Sequence, residues 1–270
     1  MTYNVNYLFM NPTLAKKDYQ KKVAGQRHDY LNTVAKVIQD NGAYDFVALQ
    51  EASNLNGLKQ QCKILKSMLC REHSSNDFNM ATFVDKSYRV DKDVVKGNLS
   101  KNRPYMILTG KTPSRKTFAF VNIHNGRRFK KGTQTEYPRH SLDAIATIVN
   151  SVGAVDVLIV AGDFNDEGQK FYENLGKPRT PLLRISTPGT TCCYADTSKE
   201  LPDQRIGDYV LSNLKTQNEV IHAGESDHWP VIATIELPAA PAVPGGGRAS
   251  LLRAQLALLF VTALLSLQYR

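Results

Sequence analysis

With 270 residues, 42% of them hydrophobic and 22% charged, the chain is long and apolar enough to bury a sizeable core, which excludes a disordered polypeptide. A formal net charge of +9, from 34 Lys and Arg against 25 Asp and Glu, suits a polyanionic partner, either nucleic acid or an anionic membrane surface, without choosing between them. Cys62, Cys70, Cys192 and Cys193 match no zinc-ligand spacing, and adjacent Cys192 and Cys193 are badly placed to pair, so reduced thiols are expected.

The opening TYNVNYLF reads as a strand starting almost at Met1. It lacks the basic flank and long apolar core of a secretion signal, so an intracellular protein is expected. QRHDYLNTVAKVIQDNG puts Leu31, Val34, Ala35 and Ile38 on one helical face and closes on Asn41-Gly42. DFVALQE follows as a short buried strand, and LKQQCKILKSML repeats the helical pattern through Leu58, Cys62, Leu65 and Leu69. Strands are predicted at FNMATFV, PYMILTG and TFAFVNIH, a helix at SLDAIATIVNSV, and strands again at VDVLIVAGD, IGDYVLS and WPVIATIEL. Strands that succeed one another directly, with helices between others, predict a layered α/β protein whose helices cover sheet faces.

The composition changes after Leu237. Residues 1–238 read as one catalytic domain, 239–250 as a Pro/Ala/Gly linker and 251–270 as an apolar tail with basic flanks. The tail's unbroken apolar stretch, Leu256 to Leu267, is shorter than the roughly 20 residues that cross a bilayer comfortably. A tail anchor, an interfacial helix and a fortuitous extension stay open, and membrane association through this tail is one expectation.

Polar residues gather where the apolar runs end. Asn4 and Asn6 lie two apart on the first strand and so share a face. FVALQEA ends in Gln50 and Glu51, FVNIHNG in Asn122, His124 and Asn125, and IVAGDFND in Asp163, Asn165 and Asp166. Asp208 sits in IGDYVLS, and Asp227 and His228 directly precede the last strand. Strand ends of one sheet converge on one edge, so these groups share a cleft. Carboxylate and amide oxygens are hard ligands that suit Mg²⁺ or Mn²⁺. A histidine beside an aspartate adds an oriented base, and metal plus base is the chemistry of water attack on a phosphate ester.

TYNV, LQEA, NIHN, GDFND, GDYVLS and SDHWPV, in that order over roughly residues 2–237, resemble the endonuclease/exonuclease/phosphatase superfamily of metal-dependent phosphoesterases. The resemblance implies two packed mixed β-sheets flanked by helices, a four-layer deoxyribonuclease-like sandwich. It implies Mg²⁺ or Mn²⁺ held by Glu51, with Asn4 and Asp227 supporting the metal site. Asp163 would orient or deprotonate the attacking water, Asn165 contact the phosphate, and His228 act as catalytic histidine paired with Asp208. His124 would donate to a phosphate oxygen. Three features depart from the family pattern: Asn6 replaces an acidic residue, Gly207 separates Ile206 from Asp208, and NRPYMIL offers Arg103 as a phosphate contact only by a loose match.

The substrate clue follows His124. In NGRRFKKGTQTEYPRH, Arg127, Arg128, Lys130 and Lys131 surround Phe129, a composition suited to a phosphate backbone with a base stacked on the ring. A nuclease acting on nucleic acid is the first expectation. A membrane-directed phosphoesterase acting on sphingomyelin or phosphoinositides is the alternative. No protein partner is inferable, and a monomer is expected.

Overall fold

Apolar runs too short for helices, such as FVAL at 46–49 and VLIVAG at 157–162, become strands buried on both faces. The computed structural model describes residues 1–5, 30–75, 78–100, 103–126, 139–165, 183–184, 191, 207–223, 226 and 228–237, with the backbone alone at 100, 139–143 and 183–184. The chain divides into two units, Met1–Leu237 and Pro238–Arg270, and the linker and apolar tail lie outside the described residues.

The elements are β1 (Thr2–Asn4), α1 (Tyr30–Asp40), β2 (Phe46–Gln50), α2 (Leu55–Gln61), α3 (Lys63–Ser67), β3 (Leu69–Ser75), β4 (Phe78–Val84), β5 (Arg89–Val90), β6 (Val95–Ser100), β7 (Arg103–Lys111), β8 (Thr117–His124), α4 (Arg139–Ser151), β9 (Val157–Asp163), β10 (Leu183–Arg184), β11 (Asp208–Ser212), β12 (Thr216–Val220) and β13 (Val231–Ile235). One sheet runs β12-β13-β1-β2-β4-β3 and the other β10-β11-β9-β8-β7-β5, with β6 also on β7. β1 with β2, and β8 with β9, are parallel; the other pairs are antiparallel, so both sheets are mixed.

Strand alternation sorts the side chains into three apolar layers. Phe46, Ala48, Met80 and Val84 of the first sheet meet Met106, Leu108, Phe120, Ile159 and Val210 of the second. At the heart of this contact the Phe46 and Phe120 rings stack 4.7 Å apart. Val47, Leu49 and Phe83 face the other way, onto Val34 and Ile38 of α1 and Leu58 of α2. Val121, Leu158 and Val160 pack beneath Ile145, Ile148 and Val149 of α4. The result is helix, sheet, sheet, helix, the four-layer sandwich that the resemblance implied. Among the described residues no helix is long and apolar enough to cross a membrane.

Two expectations need correction. The helix expected through LKQQCKILKSML is broken at Cys62, whose backbone is extended (φ −103°, ψ 102°), and its C-terminal end becomes β3. Gln39 takes the Lys63 N–H at 2.9 Å, so a side chain replaces one rung of the helical ladder there. β3, β5, β6, β10 and β12 were not expected. All five lie at sheet margins, where one side meets solvent and no apolar run is required.

Candidate active site

Pairing register brings the strand-end residues into one row. His124 and Asp208 both lie opposite Asp163, on the two strands that flank β9. In the facing sheet Asn4 pairs with Gln50, immediately before Glu51. Gly207 is absorbed ahead of β11, where its carbonyl accepts the Phe164 N–H at 2.8 Å, so the extra glycine leaves Asp208 in register. Glycine is required at 162 instead: φ is +150°, and a Cβ there would sit 2.0 Å from the Ile123 carbonyl oxygen.

Asn4 joins the two sheets' carboxylates. Its amide nitrogen donates to Asp163 Oδ2 at 3.0 Å and to Glu51 Oε1 at 3.3 Å, so it orders the site as a donor. Asp163 also accepts the Asn165 N–H (2.9 Å) and the Asn165 amide (2.7 Å). That amide donates again to the Asn125 carbonyl at 2.9 Å, which leaves Oδ1 of Asn165 buried without a partner among the described residues. An acceptor there suits a water O–H, whereas the expected contact to a phosphate oxygen needs a donor.

His228 Nδ1 lies 2.9 Å from Asp208 Oδ2, and because a carboxylate only accepts, Nδ1 carries the proton. Nε2 then faces Asp163 Oδ2 at 3.9 Å. Ser226 holds this histidine to the first sheet, accepting the His228 N–H at 3.2 Å and donating to the Asn4 carbonyl at 2.8 Å.

Arg103 belongs to the same cluster. Its Nη1 donates to His124 Nε2 at 2.6 Å, and its guanidinium carbon lies 4.5 Å from the centre of the Phe78 ring. His124 Nε2 is also 3.4 Å from Glu51 Oε1 and 3.6 Å from Asp163 Oδ2. An arginine donates only, so Arg103 brings a second potential donor to the place where His124 was expected to donate.

Burial pushes the Asp163 carboxyl up from the usual range to about 6; Asp208 adds to the rise, while His228, Asn4 and Arg103 oppose it. A cation beside these carboxylates would relieve that penalty. Asp163, Asp208 and His228 bring potential ligand atoms within 4.8 Å of one another, but His228 Nδ1 and Asp208 Oδ2 already satisfy each other. Glu51, at the cleft's edge with its side chain 15% accessible, is the carboxylate best placed to take a hard divalent ion. Asn6, Asp227 and the basic residues Arg127, Arg128, Lys130 and Lys131 lie outside the described residues.

Two structural roles were not legible in the sequence, although Gln50 and Asn122 were among the strand-end residues singled out there. Gln50 and Asn122 cross-link the sheets under the site: Gln50 Nε2 donates to Asn122 Oδ1 at 2.7 Å, and Asn122 donates to the Ala81 carbonyl at 3.0 Å and Thr82 Oγ1 at 3.1 Å. Both are fully buried, and apolar runs ending in an amide were the available signal. Thr191, also fully buried, bonds to the backbone around Asp208 and has no motif around it to mark it.

Layers, topology and this row of residues define a protein with the endonuclease/exonuclease/phosphatase fold. The chain is similar to a Bacteroides vulgatus protein solved under that family name (TM-score 0.64, 18% identity, 88% of this chain and 97% of that one). It is also similar to D. rerio TDP2 complexed with a single-strand DNA product (TM-score 0.62, 15% identity, 85% and 95%). The Neisseria 3′ phosphatase NExo, bound to a product DNA hairpin, is a third such structure (TM-score 0.57, 16% identity, 87% and 98%). By sequence, 224 residues are 30% identical to an uncharacterized protein of Acanthamoeba polyphaga mimivirus, a match that spans 76% of this chain and only 43% of that protein. No protein-family model matches the chain.

Proposed function

We propose that the protein is a divalent-metal-dependent phosphoesterase and, more narrowly, a nuclease that hydrolyses phosphate esters of nucleic acid. The observation that carries this reading is the convergence at one end of the two sheets of Glu51 and Asp163, which share the Asn4 amide, with the Asp208–His228 pair, whose Nε2 lies 3.9 Å from Asp163. A divalent cation, Mg²⁺ or Mn²⁺, held by Glu51 would act as a Lewis acid on a phosphate oxygen.

The chain's own residues account for the rest of the chemistry. Ionised Asp163 accepts a proton from the attacking water, and the buried Asn165 Oδ1 is a second acceptor able to orient that water. As the water oxygen bonds to phosphorus and the ester P–O bond breaks, negative charge grows on the phosphoryl oxygens. Arg103, and His228 Nε2 when that nitrogen also carries a proton, supply donors to it, with the imidazole held in place by Asp208. The leaving oxygen takes its proton from solvent water, and Asp163 releases the proton it accepted to solvent, so the carboxylate is restored and the step balances.

Nucleic acid is preferred over lipid because two similar structures were solved with DNA products, and the net charge of +9 is compatible with that polyanion. The test is a parallel panel: metal-stripped protein, resupplied with Mg²⁺, incubated with duplex DNA, single-stranded DNA, RNA, and vesicles containing sphingomyelin or phosphoinositides. Cleavage of a polynucleotide is expected. Turnover of lipid alone would replace the nuclease reading with the membrane-directed phosphoesterase, and turnover of nothing would remove both.

A further inference from the structure

Asp208 and His228 form a pair although their strands belong to different sheets: Asp208 opens β11 of the second sheet, and His228 precedes β13 of the first. A hydrogen bond of 2.9 Å between sheets needs something to fix the distance locally, because neither sheet's ladder spans the gap. Thr191 does this from both sides. Its Oγ1 accepts the Gly207 N–H at 3.0 Å and the Asp208 N–H at 2.9 Å. Its backbone carbonyl accepts the Trp229 N–H at 2.7 Å. One residue thus holds the chain just before and at the aspartate, and just after the histidine.

We propose that Thr191 is a positioning residue that clasps the Asp208–His228 pair across the two sheets. The proposal rests on the phosphoesterase reading above, since it assigns Thr191 an effect on turnover exerted through Asp208. Chemistry favours the hydroxyl for this place. A single buried oxygen with two lone pairs satisfies two adjacent backbone N–H groups, and Thr191 is fully buried. The clasp also explains how the chain tolerates Gly207 ahead of the aspartate. The glycine's N–H goes to Thr191 and its carbonyl to Phe164, so the extra residue is pinned at both ends rather than left to slide β11 by one position. A slip of that kind would turn Asp208 away from His228.

Thr191→Val keeps the shape and deletes the acceptor; Thr191→Ser keeps the acceptor. With bis(para-nitrophenyl) phosphate and Mn²⁺, Thr191→Val should lower kcat by about 10- to 100-fold, the usual range for a group supporting a catalytic one, with KM within about twofold. Thr191→Ser should stay within about threefold of the parent on the same scale. In an Asp208→Asn background, Thr191→Val should cost less than about a further twofold, because the group it positions is already disabled. Amide hydrogen exchange reads the clasp without any substrate: the Gly207 and Asp208 amides should be protected in the parent protein and exchange at least about tenfold faster in Thr191→Val, with Ala161 and Val210 unchanged.

Equal losses from Thr191→Val in both backgrounds would reduce Thr191 to a general stabiliser and overturn the proposal. So would unprotected Gly207 and Asp208 amides in the parent, a result that holds even if the valine variant does not fold. An active enzyme indifferent to Asp208→Asn would instead refute the assigned chemistry, and protected amides would then leave only a structural clasp.

Discussion

The Asp163 carboxyl offers a test in which the sign as well as the size follows from the structure. Burial raises it from 3.8 to about 6, so the folded state holds this proton more tightly than the unfolded chain does. Its contribution to stability is therefore fully present below about pH 3.8 and is lost as the pH rises through about 6. At about 1.4 kcal/mol per pH unit, the gap between 3.8 and about 6 amounts to roughly 3 kcal/mol, a large share of a total that typically runs about 5–15 kcal/mol. Asp163→Asn removes the titration while leaving every other group in place. Urea unfolding of both proteins in EDTA, at about pH 4 and about pH 7.5, should show the parent losing roughly 2 kcal/mol more than the variant over that span, the part of the total that lies above about pH 4. Only this difference in pH dependence is at issue, since the asparagine also changes the hydrogen bonds to Asn4 and Asn165. Mg²⁺ should restore stability to the parent chiefly at the higher pH, where the carboxylate is ionised and binding favours the folded state. Stability curves that run parallel for the two proteins would refute the assignment of a destabilised, buried carboxylate.

His228→Ala and Asp163→Asn should each lower kcat by at least about a hundredfold with KM little changed, and Asp208→Asn should cost less; steady-state kinetics decide. Gly162→Ala should lower stability by more than about 3 kcal/mol in urea unfolding, because its Cβ would meet the Ile123 carbonyl in a left-handed backbone region. Changing Arg127, Arg128, Lys130 and Lys131 together to Ser should weaken polynucleotide binding and flatten its logarithmic salt dependence by about 0.9 per lost contact on duplex DNA, or about 0.7 on single strands. The same change should leave cleavage of a small chromogenic phosphodiester intact, and an unchanged salt slope would make this loop a solvated surface.

Much of the site was legible because of how a four-layer sandwich buries its strands. A strand covered on both faces reads as an unbroken apolar run, so the polar residues that end it, such as Gln50 and Glu51, Asn122 and His124, or Asp163, are conspicuous. What the sequence hid falls into three physical classes. Edge strands such as β3 and β12 need little apolar character and so carry no run. The break at Cys62 depends on Gln39, a side chain 24 residues away, and no local propensity reports that. Thr191 acts through one hydroxyl and one carbonyl, and a lone threonine carries no pattern. The place of Arg103 beside His124 was hidden for a related reason. Its contact with His124 crosses from β7 to β8 and exists only once their pairing is known.

Cleavage of a DNA oligonucleotide by metal-stripped protein, measured in EDTA and after Mg²⁺ is returned, bears most directly on the central claim of metal-dependent phosphate ester hydrolysis at this site. The parent should be inert in EDTA and active with Mg²⁺. Glu51→Gln should remain folded and be inactive at the same Mg²⁺ concentration, because a neutral amide is a poorer ligand than a carboxylate. Full turnover in EDTA, or a Glu51→Gln protein that responds to Mg²⁺ as the parent does, would contradict it.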